Sequence, residues 1–464
     1  MHFDHMDEKP ASLKEILGHR GFVNLWINQI LVQLSYNSLN FALLIWVFRL
    51  TESNTAVAAL MFAVYLPAVI FGLFAGLLVD ITDRRKIIRV IDILMALCFF
   101  SLIFLKGSFA AVLGVTFLVN VLGQFYIPAE SSAIPLLVKK NQLLSANSLF
   151  SITLFASFLI GFGFSGPLIQ HLGIDMIFIL GGLMLLAAFS LTFYFPRIVN
   201  VADAQSQKLK AALKKHDIPT FWEISVIEVK NTFSLIRGKI VVMASLLILA
   251  SVQVAIGILG VLIPSFFEKN LQVNATDASF VLILPLGLGM VLGGIAIGRF
   301  GYRFPKRNIV GISILLAGLL FFLVGAAPLI SPAINYFPKP RPLPFIYQPS
   351  LSTTLAIGSF LLGITMVAVV VPSQTVLQEN TPDSARGKVF SILGVLMSAL
   401  TLLPVVLVGV MADIFGTAPI FIAIGGTVAL LGFMAIKPSF YFDEEHLPFR
   451  LRQFLGLGHW RKEN

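Results

Sequence analysis

The chain has 464 residues, of which 57% are apolar and only 12% charged, and its mean hydropathy is +0.90. Soluble proteins carry about 25% charged residues, so a string of soluble domains is excluded and a polytopic membrane protein is indicated. A single cysteine, Cys98, excludes an intrachain disulfide framework or thiolate cluster, and seven scattered histidines form no HExxH pattern, so no metal and no cofactor is expected.

A membrane-spanning helix needs about 20 apolar residues. Eleven windows free of Asp, Glu, Lys and Arg occur at 21–48, 53–79, 107–129, 141–174, 176–196, 240–267, 278–298, 308–338, 342–378, 389–412 and 414–436, and a twelfth, 90–105, carries one acid, Asp92. These runs are too long and too uniformly apolar for strands, and a transmembrane barrel would alternate over segments of about ten residues. The expected fold is therefore an all-α integral membrane protein with twelve transmembrane helices. The charged N-terminal stretch lacks an apolar core with a small-residue cleavage site, so the first span is expected to act as its own insertion signal.

The organisation expected from these windows is an N-tail (1–21), a six-helix bundle (22–196), a basic linker (197–239), a second six-helix bundle (240–436) and a C-tail (437–464). With the N-terminus inside, 28 of the 33 Lys and Arg fall on cytoplasmic segments, while Arg49, Lys106, Lys269, Lys339 and Arg341 stay outside. That split puts both termini in the cytoplasm of a cell that carries the protein in its plasma or inner membrane. It also explains the net charge of +10 without a nucleic-acid partner. Trp26 and Trp46, about 30 Å apart along a helix, suit the two interfacial belts of span one, or are two ordinary lipid-facing residues. In the linker, the stretch 205–215 reads either as a basic amphipathic helix on the inner leaflet or as a solvated tether.

A weak internal repeat matches the division into six and six. GLLVDITDRRK from Gly76 follows span two, and GIAIGRFGYR from Gly294 follows span eight; IPAESSAIPLLVKKNQLLSANS from Ile127 corresponds to VPSQTVLQENTPDSARGKVFS from Val371. Parallel six-span repeats are a transporter architecture.

GLLVDITDRRK resembles the loop signature between spans two and three of the major facilitator superfamily. FVNLWINQILVQL, the segment after span four and PDSARGKVFSILG resemble its bacterial drug and siderophore exporter branch, which includes enterobactin-type exporters. Ile81, Asp83 and Gly298 depart from the usual signature residues. The resemblance implies a gating motif of Gly76, Asp80, Asp83, Arg84 and Arg85, in which Asp80 meets the positive N-terminal end of span eleven near Gly387–Val389 and holds the cytoplasmic gate. Gly76 is expected at a close helix crossing. Gly161, Gly163, Gly166 and Pro167 in span five resemble the Gly–Pro hinge element of antiporters in the superfamily.

Span one carries a polar stripe, Gln29, Gln33, Tyr36, Asn37 and Asn40, within about 100° of helix surface. Because the superfamily lines its cavity with spans one, four, seven and ten, the resemblance adds Asn120, Gln124 and Gln253 to a substrate surface; the alternative for each is hydrogen bonding between helices. Asp92 is the first candidate for a proton relay and Glu130 the second, with a structural ion pair between Asp92 and Arg89 as the competing reading. No span carries Lys or Arg in its middle, which disfavours anion import, and no GxxxxGK[ST] motif points to direct ATP hydrolysis. The expectation is a monomeric, non-enzymatic secondary transporter working by alternating access. It would export an amphiphilic or uncharged small organic molecule, with protons as the candidate coupling ion and the lipid bilayer as its surroundings. A lipid or lysolipid translocator of the same fold and a transport-inactive receptor or assembly partner are the alternatives, whereas a membrane-embedded enzyme would need convergent His, Ser or Asp groups that the sequence lacks.

Overall fold

The computed structural model describes residues 13–139, 142–196, 240–271, 274–300, 303–336, 351–381 and 386–436. The linker with its 205–215 stretch, the two ends of the chain and the Pro-rich loop after span nine lie outside them. After a short helix, Leu13–Leu17, the described residues hold twelve helices long and apolar enough to cross a membrane, and no strand. They are α1 (Arg20–Thr51), α2 (Asn54–Ile81), α3 (Arg84–Leu105), α4 (Phe109–Leu137), α5 (Leu143–Leu172) and α6 (Ile174–Leu191), followed by α7 (Ile240–Ser265), α8 (Leu284–Phe300), α9 (Lys306–Tyr336), α10 (Leu351–Glu379), α11 (Arg386–Phe415) and α12 (Thr417–Ile436).

Their outward surface is as apolar as their core. Phe104 is 86% exposed and Ile414 69%, a surface that water would penalise and lipid solvates. In lipid backbone groups must be satisfied within the protein, and prolines nonetheless stand inside α2, α4, α5, α7, α10 and α11. Two helix starts in the first unit are capped by the residue before them. The Asp83 carboxylate accepts from Arg85 N at 3.1 Å to open α3, and Ser108 Oγ accepts from Ala111 N at 3.4 Å to open α4. Single glycines with φ +80° and +82°, Gly173 and Gly416, join α5 to α6 and α11 to α12, a backbone turn that a side chain would strain. They stand 243 residues apart, nearly the 244 that separates Pro128 from Pro372, so the repeat legible in the motifs recurs in the turns.

The helices pack as two compact units. One holds the described residues up to Trp46 and from Ala63 to Pro196; the other holds Val47–Phe62 and the described residues from Ile240 on. In the first unit, glycines let helices touch: a Cβ at Gly181 would lie 2.6 Å from Phe99 Cδ1, and one at Gly161 would lie 2.7 Å from Asn37 Cβ. In the second, α9 and α12 form the most extensive helix pair. Its seam is glycine at seven-residue spacing, Gly311, Gly318 and Gly325 on α9 against Gly425 and Gly432 on α12. At Gly76 of α2 a built Cβ meets no described atom within 4 Å, although Ala75 and Val79 on the same turn are buried.

Candidate functional site

The first unit encloses a polar core in an otherwise apolar bundle. Its centre is Asn28 of α1, fully buried. Asn28 Nδ2 donates to Asp92 Oδ2 of α3 at 2.7 Å and to the Ala188 carbonyl of α6 at 3.0 Å, while Asn28 Oδ1 accepts from Tyr126 OH of α4 at 2.8 Å. One amide thus spends its two N–H groups and its oxygen on three helices. Tyr126 OH also stands 3.3 Å from Glu130 Oε1, one turn further along α4. Asp92 is 0% exposed and Glu130 5%, and neither enters an ion pair among the described residues. Asp92 Oδ1 is buried and has no hydrogen-bond partner there.

The Arg89–Asp92 pair is overturned. Arg89 turns away to the 3-10 turn that follows α6, Thr192–Tyr194, where its Nε donates to Thr192 Oγ1 at 3.0 Å, its Nη2 to the Thr192 carbonyl at 3.1 Å, and its guanidinium lies 4.1 Å from the Phe193 ring centroid. Helix spacing allowed the pair, but the carbonyl end of a neighbouring helix and an aromatic face offer the guanidinium more partners.

The stripe on α1 divides. Gln29 is buried with Nε2 on the Phe150 carbonyl of α5 at 3.3 Å, and Asn37 is buried against Gly161; both join helices. Gln33, Tyr36 and Asn40 are half-buried. Tyr36 OH lies 2.5 Å from Asn120 Oδ1 of α4, and Asn40 Nδ2 donates to the Tyr36 carbonyl at 3.0 Å. Asn120 is buried and bonded to the Thr116 carbonyl at 2.8 Å, whereas Gln124, one turn on, is half-buried with a long 3.5 Å contact to the Asn120 carbonyl. The structure therefore gathers Gln33, Tyr36, Asn40, Asn120 and Gln124 on neighbouring turns of α1 and α4. Gln253 is half-buried on α7 in the second unit. On α5, Gly161, Gly163 and Gly166 are buried and Pro167 is half-buried; the Gly161 carbonyl accepts from Ser165 Oγ and from Ser38 Oγ of α1.

Of the loop motif, the Asp80 side chain lies outside the described ones. Asp83 caps α3, Arg84 is fully buried with Nε on Ser132 Oγ of α4 at 2.9 Å, and Arg85 Nη2 donates to the Phe193 carbonyl just after α6 at 3.2 Å. These arginines tie α3 to its neighbours, beyond any topogenic role. Sequence reasoning missed Asn28 and Tyr126. Tyr126 was readable, one helical turn before Glu130; Asn28 sits roughly opposite the stripe, on the side it shares with Ser35 seven residues on.

The model of the Major Facilitator Superfamily matches residues 25–337 and 245–453. BacE of Bacillus subtilis (strain 168), which carries the name of a bacilysin exporter, is 23% identical over 328 residues, covering 70% of this chain and 72% of BacE. The multidrug efflux pump Tap of Mycolicibacterium fortuitum is 22% identical over 382 residues, covering 80% and 84%. Among solved structures, the nucleoside transporter NupG superposes with a TM-score of 0.67 at 14% identity, covering 91% of this chain and 99% of NupG. A POT family transporter in complex with 5-aminolevulinic acid gives 0.66 at 15%, covering 91% and 97%. With twelve apolar helices in two units and a family model that matches well over half of its length, this chain is a multi-pass membrane transporter and belongs to the Major Facilitator Superfamily.

Proposed function

We propose that this secondary transporter exports an amphiphilic or uncharged small organic molecule in exchange for protons, with Asp92 and Glu130 as the coupling carboxyl groups. The observation that carries the coupling is the buried chain Asp92–Asn28–Tyr126–Glu130, which has no cation on either acid among the described residues. A carboxylate buried without a counter-charge costs several kcal/mol, about the sum that holding a proton avoids. The tyrosine hydroxyl has one proton, so it bonds Asn28 or Glu130, and protonation of Glu130 lets that carboxyl donate to the Tyr126 oxygen instead. A proton on one acid is thereby felt by the other through Asn28.

Export is supported by the names of BacE and Tap. An uncharged or amphiphilic cargo is supported by the amide and hydroxyl surface of Gln33, Tyr36, Asn40 and Gln124, and by the placement of every described helical Lys and Arg within about two turns of a helix end. The basic-residue split supports both termini in the cytoplasm, and Asp80 at the end of α2 is assigned to the cytoplasmic gate. The chain works as a monomer, since each unit has its own packed core.

The test uses purified protein in liposomes with a panel of amphiphilic dyes, ethidium among them. Wild type should move at least one dye against a proton gradient and should also exchange it without one. Asp92→Asn and Glu130→Gln should abolish the gradient-driven movement and keep the exchange. Equal loss of both activities, or wild-type transport that ignores the gradient, defeats the proposal.

A further inference from the structure

Among the described residues, the most heavily hydrogen-bonded carboxylate outside the polar core is Asp413, in the last turn of α11. Its Oδ1 accepts from Asn54 N at 2.7 Å and Asn54 Nδ2 at 2.9 Å; its Oδ2 accepts from Thr55 N at 2.9 Å, Thr55 Oγ1 at 2.7 Å and Ser53 Oγ at 2.7 Å. Five donors thus converge on one carboxylate, among them the first two backbone N–H groups of α2. That helix has no acid of its own in its first turn, so Asp413 supplies from another helix the anion its N-terminus favours.

The same tip is fastened elsewhere in the second unit. Asn54 Nδ2 lies 3.3 Å from Ser265 Oγ at the end of α7. There the chain widens into a π-helical turn, Phe266–Asn270, which presents Glu268 to Arg49 at 3.3 Å and Lys269 Nζ to the Glu52 carbonyl at 2.9 Å. Glu52 holds φ +52°, a conformation that a side chain adopts only when its surroundings impose it. Gly409 of α11 lets the tip approach, since a Cβ there would lie 2.5 Å from Ala58 Cβ and 2.9 Å from the Asn54 carbonyl oxygen.

Residues 47–62 belong to the second unit, yet the helices they terminate, α1 and α2, continue as 32- and 28-residue elements whose other parts belong to the first. Movement of one unit against the other must therefore bend both helices or free the tip. Freeing it breaks hydrogen bonds that each involve a side chain, together with the close contact at Gly409. We propose that Asp413 is a latch: it holds the α1–α2 tip on α11 in the state seen here, with Ser265 buried beneath, and releases it once in each transport cycle. The inference needs only that the two units move, not what is carried or whether protons drive it.

The test is the rate at which a water-soluble thiol reagent labels Ser265→Cys in a Cys98→Ser background, measured on purified protein so that sidedness does not enter. Ser265 is 1% exposed. Because the latch is partly solvent-exposed, Asp413→Asn should speed labelling by about three- to tenfold, and Asp413→Glu, which keeps the charge, by less. Ser245→Cys, at the opposite end of α7 and also 1% exposed, should label no faster. An unchanged rate at position 265 in monodisperse Asp413→Asn protein overturns the latch, and so does a rise at both positions, which means general loosening. Should Asp413→Asn fail to fold, the double variant Ser53→Ala, Thr55→Val removes two of the donors and leaves the carboxylate intact. It must then speed labelling by about two- to threefold, and no change refutes the proposal.

Discussion

A methyl group added at Gly425 should loosen the second unit, whereas the same group at Gly426, one residue on, should not. A Cβ at Gly425 would lie 2.3 Å from Phe322 N, 2.7 Å from Phe322 Cα and 2.8 Å from the Gly318 carbonyl oxygen, while one at Gly426 meets no described atom within 4 Å. Ordinary contact begins at 3.4 Å and the nearest atom stands at 2.3 Å, so α9 and α12 would have to part by about 1.1 Å at Gly425. The obstacle is backbone, and no rotamer change relieves it. A gap of that size forfeits about half of each dispersion contact along the seam, and overpacking of this kind costs about 1–3 kcal/mol. We place Gly425→Ala near the upper end, at about 3 kcal/mol, because the seam contacts must separate together. Gly426→Ala should be neutral or gain up to about 1 kcal/mol from helix propensity. For a unit of this size, about 3 kcal/mol corresponds to a fall of roughly 6–12 °C in the midpoint of thermal unfolding. The assay is the fraction of detergent-purified protein that stays monodisperse after stepwise heating. Gly318→Ala combined with Gly425→Ala should cost less than the sum of the two, since each methyl meets the other glycine's carbonyl and one separation accommodates both. If Gly425→Ala melts with Gly426→Ala, the seam does not carry the packing assigned to it.

Three further outcomes are expected. Asn28→Ala removes three buried hydrogen bonds and should lower stability by about 2–5 kcal/mol, with Tyr126→Phe costing about 1–2 kcal/mol; equal melting of wild type and Asn28→Ala would show the polar core to be dispensable. Reporter fusions at Ser108 and Ser350 should read as external and those at Gln205 and Asn464 as internal, one reproducible reversal being enough to break the assigned orientation. Asp80→Asn should impair transport and leave protein abundance largely intact, and full transport with unaltered thiol accessibility at Gln33→Cys in a Cys98→Ser background would remove Asp80 from the gate.

The fold was legible because lipid leaves the chain few options. Once a charge-free run reaches about 20 residues, a helix is the only way to satisfy its backbone, and all twelve runs became helices. Their ends were less legible, for a reason visible at α3. The window began at residue 90, but the helix begins at Arg84, because a helix end in the interfacial region tolerates charge when Asp83 caps it and Arg84 and Arg89 find partners on α4 and just after α6. The window from 342 begins outside the described residues, and its helix is described from Leu351. Periodicity showed which residues share a face of α1 but not which helix covers that face. Gln29 and Gln33 are therefore neighbours on one stripe, one buried against α5 and the other half-exposed.

The two aspartates that sequence reasoning weighed least evenly show what a count of donors adds to a count of charges. Asp92 drew attention as an acid inside a window, and Asp413 drew none, falling between the windows 389–412 and 414–436. Yet Ser53-Asn54-Thr55 at the start of α2 is a capping sequence that lacks its own acid, and such a turn recruits an anion from any helix ending at the same depth. The resulting site fills both oxygens of Asp413 with five donors and so suits a permanent anion whose work is mechanical. Asp92 receives one donor, on Oδ2, in an apolar bundle, and its Oδ1 is turned to no partner. A buried carboxylate oxygen without a donor is costly as an anion, and a proton on the acid relieves that cost. On the proposed reading, the half-satisfied acid changes its proton count, and the fully satisfied one holds and lets go.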